Sequence, residues 1–142
     1  MSYMEVKNIN FSTGMELKVK GVVKPNPVRF SINVGLTEDK IALHFDPRFN
    51  YRGDIRTIIL DTKKDGSWQE QQKEKDFPFE AEQEFEVTIV FNLDTFDIYL
   101  SSGKMVQFPN RLGLNKYKHI FFVGDATIQE IIVKPSGKAT KK

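Results

Sequence analysis

Short runs in which apolar and polar residues alternate recur along the whole chain. Alternation of this kind places every second side chain on the same face of a β-strand. No stretch of twelve or more residues shows the 3.6-residue period of an amphipathic helix. The runs that predict strands are Met15–Lys20, Val28–Val34, Ile41–Phe45, Ile55–Asp61, Phe85–Phe91, Phe96–Leu100, His119–Val123 and Ile128–Val133.

Turn-forming residues separate these runs. The clearest signals are Pro25-Asn26-Pro27, Asp65-Gly66, Ser102-Gly103 and Gly124-Asp125. The segment Gln69–Lys75 is polar, but it is too short and lacks a cap for a helix. Many short strands joined by turns predict an all-β fold of antiparallel strands, built as a sandwich or a barrel.

Composition narrows the class of protein. A chain of 142 residues with 39% hydrophobic residues favours one domain with a substantial core, and twelve phenylalanines favour aromatic contacts between strands. The absence of cysteine excludes disulfides, thiolate metal sites and thiol nucleophiles. A net charge of +2 provides no strong field for nucleic acid, so we expect no nucleic-acid partner.

The ends of the chain carry no targeting signal that we recognise. The first ten residues include charges and no apolar run, and no segment approaches the roughly 20 apolar residues of a membrane span. We therefore expect a protein of the cytoplasm and the extracellular space, exported by a route without a signal peptide.

Residues 1–134 are expected to form the domain. Residues 135–142 are expected to be a basic, disordered tail, either a solvated end or a weak anchor for anionic surfaces.

The candidate functional residues lie on one predicted strand and the segment that follows the next. His44, Asp46 and Arg48 stand two apart, so in a strand they point to one face at intervals of about 7 Å, while Phe45 points to the other. Trp68, the one tryptophan, follows about twenty residues later. A row of fixed donors and acceptors beside a flat indole suits a sugar ring, whose hydroxyls meet the polar row while its C–H face lies on the aromatic plate.

Five further stretches of the sequence carry a family pattern: Leu43–Phe49, Gly66–Lys73, Phe77–Phe79, Phe108–Leu112 and Gly124-Asp125 followed by Ile128. They resemble the galectins, the β-galactoside-binding lectins of jelly-roll type. Three stretches, Val6–Asn8, Arg29–Gly35 and Arg48–Tyr51, look most like the eel congerins. The resemblance spans roughly residues 5 to 134, and it implies two antiparallel sheets of five and six strands, with the sugar groove on the concave sheet.

The resemblance also implies which side chains hold the sugar. His44, Arg48 and Trp68 match the family pattern. Other positions depart from it, because the family usually has Asn at 46 and 61, Glu at 71 and Arg at 73, and many members have His at 52. The carbohydrate-binding residues predicted on this basis are His44, Asp46, Arg48, Arg52, Asp61, Trp68, Gln71 and Lys73. No catalytic residue, metal ligand or cofactor is predicted.

These departures change the chemistry of the predicted site. An ionised aspartate only accepts hydrogen bonds, whereas asparagine also donates, and lysine lacks the planar fork of arginine. Arg48, Arg52 and Lys73 are expected to pair with Asp46 and Asp61. We therefore expect a lectin with weakened or altered β-galactoside specificity, which accepts other hexoses such as mannosides.

The sequence also bears on two alternative functions and on the oligomeric state. The alternative to a lectin is an interaction protein on a galectin scaffold that has lost sugar binding, against which the retained Trp68 argues. A glycosidase would use Asp46, Asp61 and Glu70 as its carboxylates. It is not expected, since the surrounding cations should lower the pKa values of these acids, whereas an acid catalyst needs a raised one. The resemblance implies a homodimer paired through terminal strands, with glycans as the ligands.

Overall fold

The computed structural model describes residues 2–138. All regular secondary structure in that range consists of β-strands. None of these residues belongs to a helix that is long and apolar enough to span a membrane. The strands in chain order are β1 (Ser2–Val6), β2 (Phe11–Ser12), β3 (Met15–Val23), β4 (Phe30–Thr37), β5 (Lys40–Tyr51), β6 (Asp54–Lys64), β7 (Ser67–Trp68), β8 (Gln72–Glu74), β9 (Glu84–Phe91), β10 (Thr95–Tyr99), β11 (Met105–Pro109), β12 (Lys116–Tyr117), β13 (His119–Gly124) and β14 (Ala126–Pro135).

Two antiparallel sheets pack against each other. The larger sheet has the order β1-β13-β4-β5-β6, and the short strands β7 and β8 both pair with the outer edge of β6. The smaller sheet has five strands in the order β11-β10-β9-β3-β14, and β2 pairs with β12 in a separate two-residue ladder. The predicted antiparallel β-sandwich is confirmed, and because β7 and β8 share one edge, the larger sheet is six positions wide.

The core lies between the inner faces of these sheets and is rich in phenylalanine. Phe79 makes edge contacts with Phe30, Phe45, Phe77 and Phe85, at ring-centroid distances from 5.4 to 6.4 Å. This cluster joins β4 and β5 of the larger sheet to β9 of the smaller one. The alternation in β5 therefore buries Phe45 inward and leaves the polar residues next to it on the outer face.

All eight runs predicted as strands lie in strands of the structure, with ends that differ by a few residues. The strands without a prediction are β1, β2, β7, β8, β11 and β12. These strands are short, from two to five residues, so most of them contain too few residues for an alternating pattern to show in the sequence. β1, β7 and β8 pair with the longer strands β13 and β6, β11 pairs with β10, and β2 and β12 pair with each other.

Two tight hairpins set the ends of β6. Arg52 and Gly53 have φ values of 51° and 85°, and they connect β5 to β6, where Tyr51 pairs with Asp54. Asp65 and Gly66, with φ values of 49° and 82°, connect β6 to β7. Positive φ at both central residues is the backbone of a type I′ turn, whose twist matches that of the flanking strands. The turn predicted at 65–66 is confirmed, and the turn at 52–53 was not predicted.

The ordered chain continues past the predicted domain boundary at residue 134. β14 pairs with β3 as far as Pro135, the Ser136 amide donates to the Gly14 carbonyl at 3.0 Å, and the Lys138 ammonium lies 4.3 Å from the centre of the Tyr99 ring. Backbone pairing with β3 thus holds the first part of the predicted tail. Residues 139–142 lie outside the described residues.

Candidate functional site

A cavity of about 430 Å³ lies on the outer face of the larger sheet. Seven of the eight predicted site residues line it: His44, Arg48, Arg52, Asp61, Trp68, Gln71 and Lys73. The eighth, Asp46, has no accessible surface and lies among the lining side chains rather than on the cavity wall. Four lining residues were not predicted: Arg29, Tyr51, Asp54 and Ile59.

Trp68 forms an open aromatic wall at one end of the cavity. The hairpin at residues 65–66 turns the chain back so that Trp68 pairs with Lys63 at the edge of the sheet. Its side chain remains 48% exposed, its ring centroid lies 4.5 Å from that of His44, and the Lys63 ammonium lies 5.2 Å from its centre. The indole is therefore held in position by neighbours while a large part of it stays accessible to a ligand.

His44 is fixed by a chain of hydrogen bonds across β4. The His44 Nδ1 atom lies 2.6 Å from Asn33 Oδ1, and Asn33 Nδ2 donates to Ser31 Oγ at 3.0 Å and to the Phe121 carbonyl at 3.2 Å. Because the amide nitrogen of Asn33 donates both of these bonds, its oxygen must accept, and Nδ1 of His44 donates to it. The ring therefore has one orientation, with its Nε2 edge toward Asp46 at 3.6 Å.

The buried carboxylate of Asp46 joins Arg29, just before β4, to Arg48 on β5. Arg29 Nε donates to Oδ1 and Arg48 Nε donates to Oδ2, both at 2.9 Å. Burial by itself would raise the pKa of Asp46, but the contact with His44, the charge of Arg29 and the hydrogen bond from Arg48 outweigh it and hold the pKa below its ordinary value. Asp46 is thus ionised at neutral pH and orients two guanidinium groups.

A second carboxylate, Asp54, holds the next pair of cations. Arg48 Nη1 donates to its Oδ2 atom and Lys73 Nζ to its Oδ1 atom, both at 2.9 Å. The hydrogen bond from Lys73 is the main cause of a lowered pKa at Asp54, since it exceeds the opposing effect of burial, and Arg48 lowers this pKa further. Arg48 therefore bridges two carboxylates, and part of its donor capacity is used within the protein.

The expected ion pairs are only partly present. Arg48 does pair with Asp46, but Lys73 pairs with Asp54 instead of Asp46 or Asp61, and Arg52 pairs with no acidic residue in the described chain. The reason is the position of Asp54 at the start of β6, where its buried carboxylate lies between Arg48 and Lys73. The sequence offered no signal for this placement.

Asp61 pairs directly across from His44 in the β5–β6 register, as its predicted position beside the polar row requires. Its Oδ1 atom accepts from the backbone amides of Thr62 at 2.6 Å and Gln69 at 3.3 Å, and from Arg111 Nη1 at 3.4 Å. Its Oδ2 atom accepts no hydrogen bond from residues 2–138. Asp61 therefore offers the cavity an acceptor and no donor.

Tyr51 lies at the end of the cavity opposite Trp68, with three arginines around its ring. The guanidinium carbons of Arg29, Arg48 and Arg52 lie 5.2, 5.0 and 5.2 Å from the centre of its ring. One signal for Arg29 was present in the sequence, because Arg29, Ser31 and Asn33 show the same two-residue spacing of polar positions as the row on β5. Tyr51 offered none, since its position depends on the hairpin at residues 52–53.

An antiparallel sandwich that places an exposed indole beside a polar, hydrogen-bonded cavity on a sheet face is typical of β-sandwich lectins. Residues 2–133 match the family model described as galactoside-binding lectin. The chain belongs to this family, the galectins, and is similar to its fish members, the congerins.

Individual relatives agree with this assignment. The galactose-binding lectin l-1 of Anguilla japonica is 52% identical over 142 residues, the full length of both chains. Congerin-2 of Conger myriaster is 44% identical over 125 residues, which are 87% of this chain and 92% of that one. The crystal structure of an ancestral congerin has a TM-score of 0.90 and 48% identity, and the match covers 92% of this chain and 99% of that chain. CG-16, a homodimeric agglutinin from chicken liver, has a TM-score of 0.89 and 32% identity over 94% and 100% of the two chains.

The paired carboxylate leads to a prediction on stability. Replacement Asp46→Asn leaves two largely buried arginines without their shared anion, so we expect a loss on the order of 3 kcal/mol in the free energy of unfolding at pH 7. A lowered folded-state pKa contributes stability above the ordinary carboxyl value of about 4 and loses it as the pH falls. The variant should therefore show a smaller loss of stability between about pH 5 and pH 2.

Urea unfolding of both proteins across that pH range measures the effect. The control is Asp39→Asn, which removes the same charge from a side chain that is 75% exposed and should change stability by about 0.5 kcal/mol or less. Equal pH profiles for Asp46→Asn and the unchanged protein would show that Asp46 contributes no such linkage.

Proposed function

We propose that this protein is a carbohydrate-binding lectin that holds a hexose on Trp68, with weakened or altered specificity for β-galactosides. The observation that carries the proposal is the half-exposed indole of Trp68, fixed 4.5 Å from the His44 ring at the wall of the cavity. A sugar binds through the stacking of its C–H face on an aromatic ring and through hydroxyl contacts to fixed polar groups. Both components are present in this cavity.

The remaining donors and acceptors define what the sugar meets. Arg48 has Nη2 free of hydrogen bonds to described residues, Asp61 has Oδ2 free, and the Gln71 amide has no partner within residues 2–138. These groups can exchange bonds to water for bonds to hydroxyls. The site is therefore partly equipped for hexose recognition without any rearrangement of its ion pairs.

The proposed weakening of sugar affinity follows from site residues that are already bound to other protein groups. The Asp46 carboxylate is shared by two arginines, and Lys73 is bound to Asp54, so neither is free to serve a sugar as an amide or an unpaired arginine would. Each lost hydrogen bond involving a charged group costs about 1.5–3 kcal/mol. Millimolar to micromolar binding amounts to only about 4–8 kcal/mol, so the loss of two bonds is a large fraction of it.

A different hexose could suit the altered site. A mannoside has an equatorial 4-hydroxyl, whereas galactose has an axial one, and the two directions require different partners. The carboxylate of Asp61, which only accepts, and the amide of Gln71, which accepts and donates, would serve hydroxyls at new angles. Acceptance of mannosides is accordingly part of the proposal, next to residual binding of lactose-type β-galactosides.

The carboxylates of the site argue against glycoside hydrolysis. Asp46 is fully buried and Asp54 is bound to two cations, and the pKa of each lies below its ordinary value. A general acid of a glycosidase needs a raised pKa to stay protonated at neutral pH. We infer a binding protein without enzymatic activity.

The alternative is an interaction scaffold that no longer binds sugar. The internal use of Asp46, Asp54 and Lys73 favours this alternative, because these side chains need no ligand to be satisfied. The exposure of Trp68 opposes it, since an indole held beside the polar groups of the cavity is suited to stacking on a sugar ring. Calorimetry with sugars separates the two functions.

Replacement Trp68→Ala is expected to weaken binding of lactose, or of whichever hexoside binds, by about tenfold or more, which is about 1.4 kcal/mol. Titration calorimetry with lactose, galactose and methyl mannoside measures the effect. Leu114→Ala, which truncates another exposed apolar residue away from the cavity, should leave the affinity unchanged. The absence of binding heat with every sugar in the unchanged protein would favour the scaffold.

Replacement Asp61→Asn should strengthen lactose binding roughly tenfold, because an amide at this position donates to a hydroxyl where the carboxylate only accepts. The affinity for methyl mannoside should not rise in parallel. Calorimetric titrations of both sugars test this, with Asp39→Asn as the charge-matched control. A lactose affinity that stays the same or falls would show that the acceptor at position 61 is not what weakens the site.

Two free edges at one end of the sandwich support a homodimer. β1 and β14 are edge strands of different sheets, and residues of both line one surface cavity that includes Tyr3, Met4 and Ile128. Tyr3 and Met4 are 49% and 41% exposed. Pairing of such edges across a two-fold axis would cover them and would make the lectin bivalent.

Met4→Arg is expected to shift a dimer toward monomer, because it places a charge on the proposed contact. Met105→Arg is the matched control, since Met105 is 40% exposed on β11 at another sheet edge. Sedimentation velocity at micromolar concentrations measures both. A monomeric unchanged protein would contradict the homodimer.

A further inference from the structure

We infer that the turn between β4 and β5, formed by Glu38 and Asp39, positions the indole of Trp68, and that Tyr3 on β1 holds this turn in place. The two residues are called turn 38–39 below. The inference rests on the proposed sugar binding and names residues that hold one wall of the sugar cavity. Neither Tyr3 nor turn 38–39 lines that cavity, so they are positioning residues and not ligands of the sugar.

The strand that contains Trp68 is too short to fix the indole by itself. β7 consists of Ser67 and Trp68, and in the described chain it pairs with β6 on one side only. A two-residue edge strand makes few backbone hydrogen bonds, and segments of this kind open more easily than central strands. The orientation of the indole therefore depends on how firmly the hairpin at residues 65–66, which leads into β7, is held.

Turn 38–39 contacts that hairpin at one end of the larger sheet. The Gly66 amide donates to the Asp39 carbonyl at 3.0 Å, so one turn supports the main chain of the other. The Lys63 ammonium also lies 4.0 Å from the Asp39 carboxylate, but that side chain is 75% exposed. Because exposed ion pairs contribute little, the backbone hydrogen bond is the main link between the two turns.

Tyr3 reaches turn 38–39 from the far edge of the same sheet. Its ring lies beside Phe121 on β13, at a centroid distance of 6.0 Å, and its hydroxyl lies 2.8 Å from Glu38 Oε1. Partial burial and hydrogen bonds to the carboxylates of Glu38 and Glu5 raise the pKa of Tyr3. The phenol therefore keeps its proton at neutral pH and donates it to a carboxylate.

The single hydrogen of this hydroxyl is available to Glu38 because the other nearby carboxylate has a donor of its own. Glu5 Oε2 lies 3.0 Å from the Tyr3 hydroxyl and also 3.0 Å from His119 Nε2. The hydrogen bond from His119 is the largest cause of a lowered pKa at Glu5, so Glu5 is ionised at neutral pH and only accepts. Glu38 has no other hydrogen bond or ion pair within residues 2–138, and Tyr3 is its donor there.

A second cavity, of about 370 Å³, separates Tyr3 from Trp68. Tyr3, Glu38, Lys63 and Trp68 line it, and it shares Trp68 and His44 with the sugar cavity. Part of the indole therefore borders open space instead of packed side chains. Close packing does not fix the ring on this side, so its position depends on the backbone below it and on the turn that supports that backbone.

The fluorescence of Trp68 tests the inference without any sugar, because Trp68 is the one tryptophan of the chain. Tyr3→Phe removes the hydroxyl and keeps the ring, and Glu38→Ala removes the acceptor. In both variants we expect the fast component of the time-resolved anisotropy decay, which reports side-chain motion on the nanosecond scale or below, to increase about twofold in amplitude. Tyr99→Phe, which removes a hydroxyl from the smaller sheet, should leave the decay unchanged.

Glu38→Gln separates the hydrogen bond from the charge. Glutamine retains a side-chain oxygen that accepts from Tyr3, so the anisotropy decay of this variant should match that of the unchanged protein. Glu38 does not line the cavity at the proposed dimer contact, so agreement between Glu38→Ala and Tyr3→Phe excludes altered assembly as the cause. An unchanged decay in either of these two variants, or equal increases in Glu38→Gln and Glu38→Ala, would overturn the inference.

Titration calorimetry with lactose and methyl mannoside links the positioning to sugar binding. Tyr3→Phe and Glu38→Ala should each weaken the sugar that binds by about threefold, because a more mobile indole loses more freedom in the complex. Glu38→Gln and Tyr99→Phe should leave the affinity unchanged. Equal affinities in all four variants and the unchanged protein would overturn the role in binding. No binding heat with any sugar would refute the proposed function, while the anisotropy decays would still decide whether turn 38–39 positions Trp68.

Discussion

The buried carboxylate of Asp46 is the point on which the site depends. It accepts one hydrogen bond from Arg29 on the approach to β4 and one from Arg48 on β5, and it lies 3.6 Å from the His44 ring. A carboxylate with no accessible surface is stable only when cations and donors surround it. The same requirement that keeps Asp46 ionised therefore fixes three cavity-lining side chains, Arg29, Arg48 and His44, in one arrangement.

The sandwich supplies the frame for this arrangement. Phe45 points inward and packs against Phe79 in the core. Because side chains alternate along β5, the neighbouring His44 and Asp46 then point to the outer face. Pairing of His44 with Asp61 aligns β5 with β6, and tight hairpins at both ends of β6 carry Arg52 and Trp68 to the two ends of the cavity. Packing on the inner face of the sheet thus determines which polar side chains meet on its outer face.

The aspartates that organise the site also underlie the proposed change in sugar specificity. Where the galectin resemblance implies amides, at positions 46 and 61, this chain has carboxylates, and that of Asp46 binds Arg29 and Arg48. Lys73, at a position where the family usually has arginine, is bound to Asp54. Fewer donors are therefore left for the hydroxyls of a neutral sugar, which is the physical basis of the weakened or altered specificity proposed above.

The amino-acid sequence by itself determined the positions of eight of the strands, the all-β class, the common face of His44 and Arg48 and the family, because alternation and motif spacing are local properties of the chain. It did not reveal the partners of the site residues. Asp54 as the anion for Lys73, Arg29 as the second cation on Asp46, and Tyr51 among three arginines came only from the tertiary structure. Arg29 and Asp46 are 17 residues apart, and Lys73 and Asp54 are 19 apart. Alternation states which face a side chain occupies, whereas the choice of ion-pair partner depends on strand register and hairpin geometry, which only the assembled sheet defines.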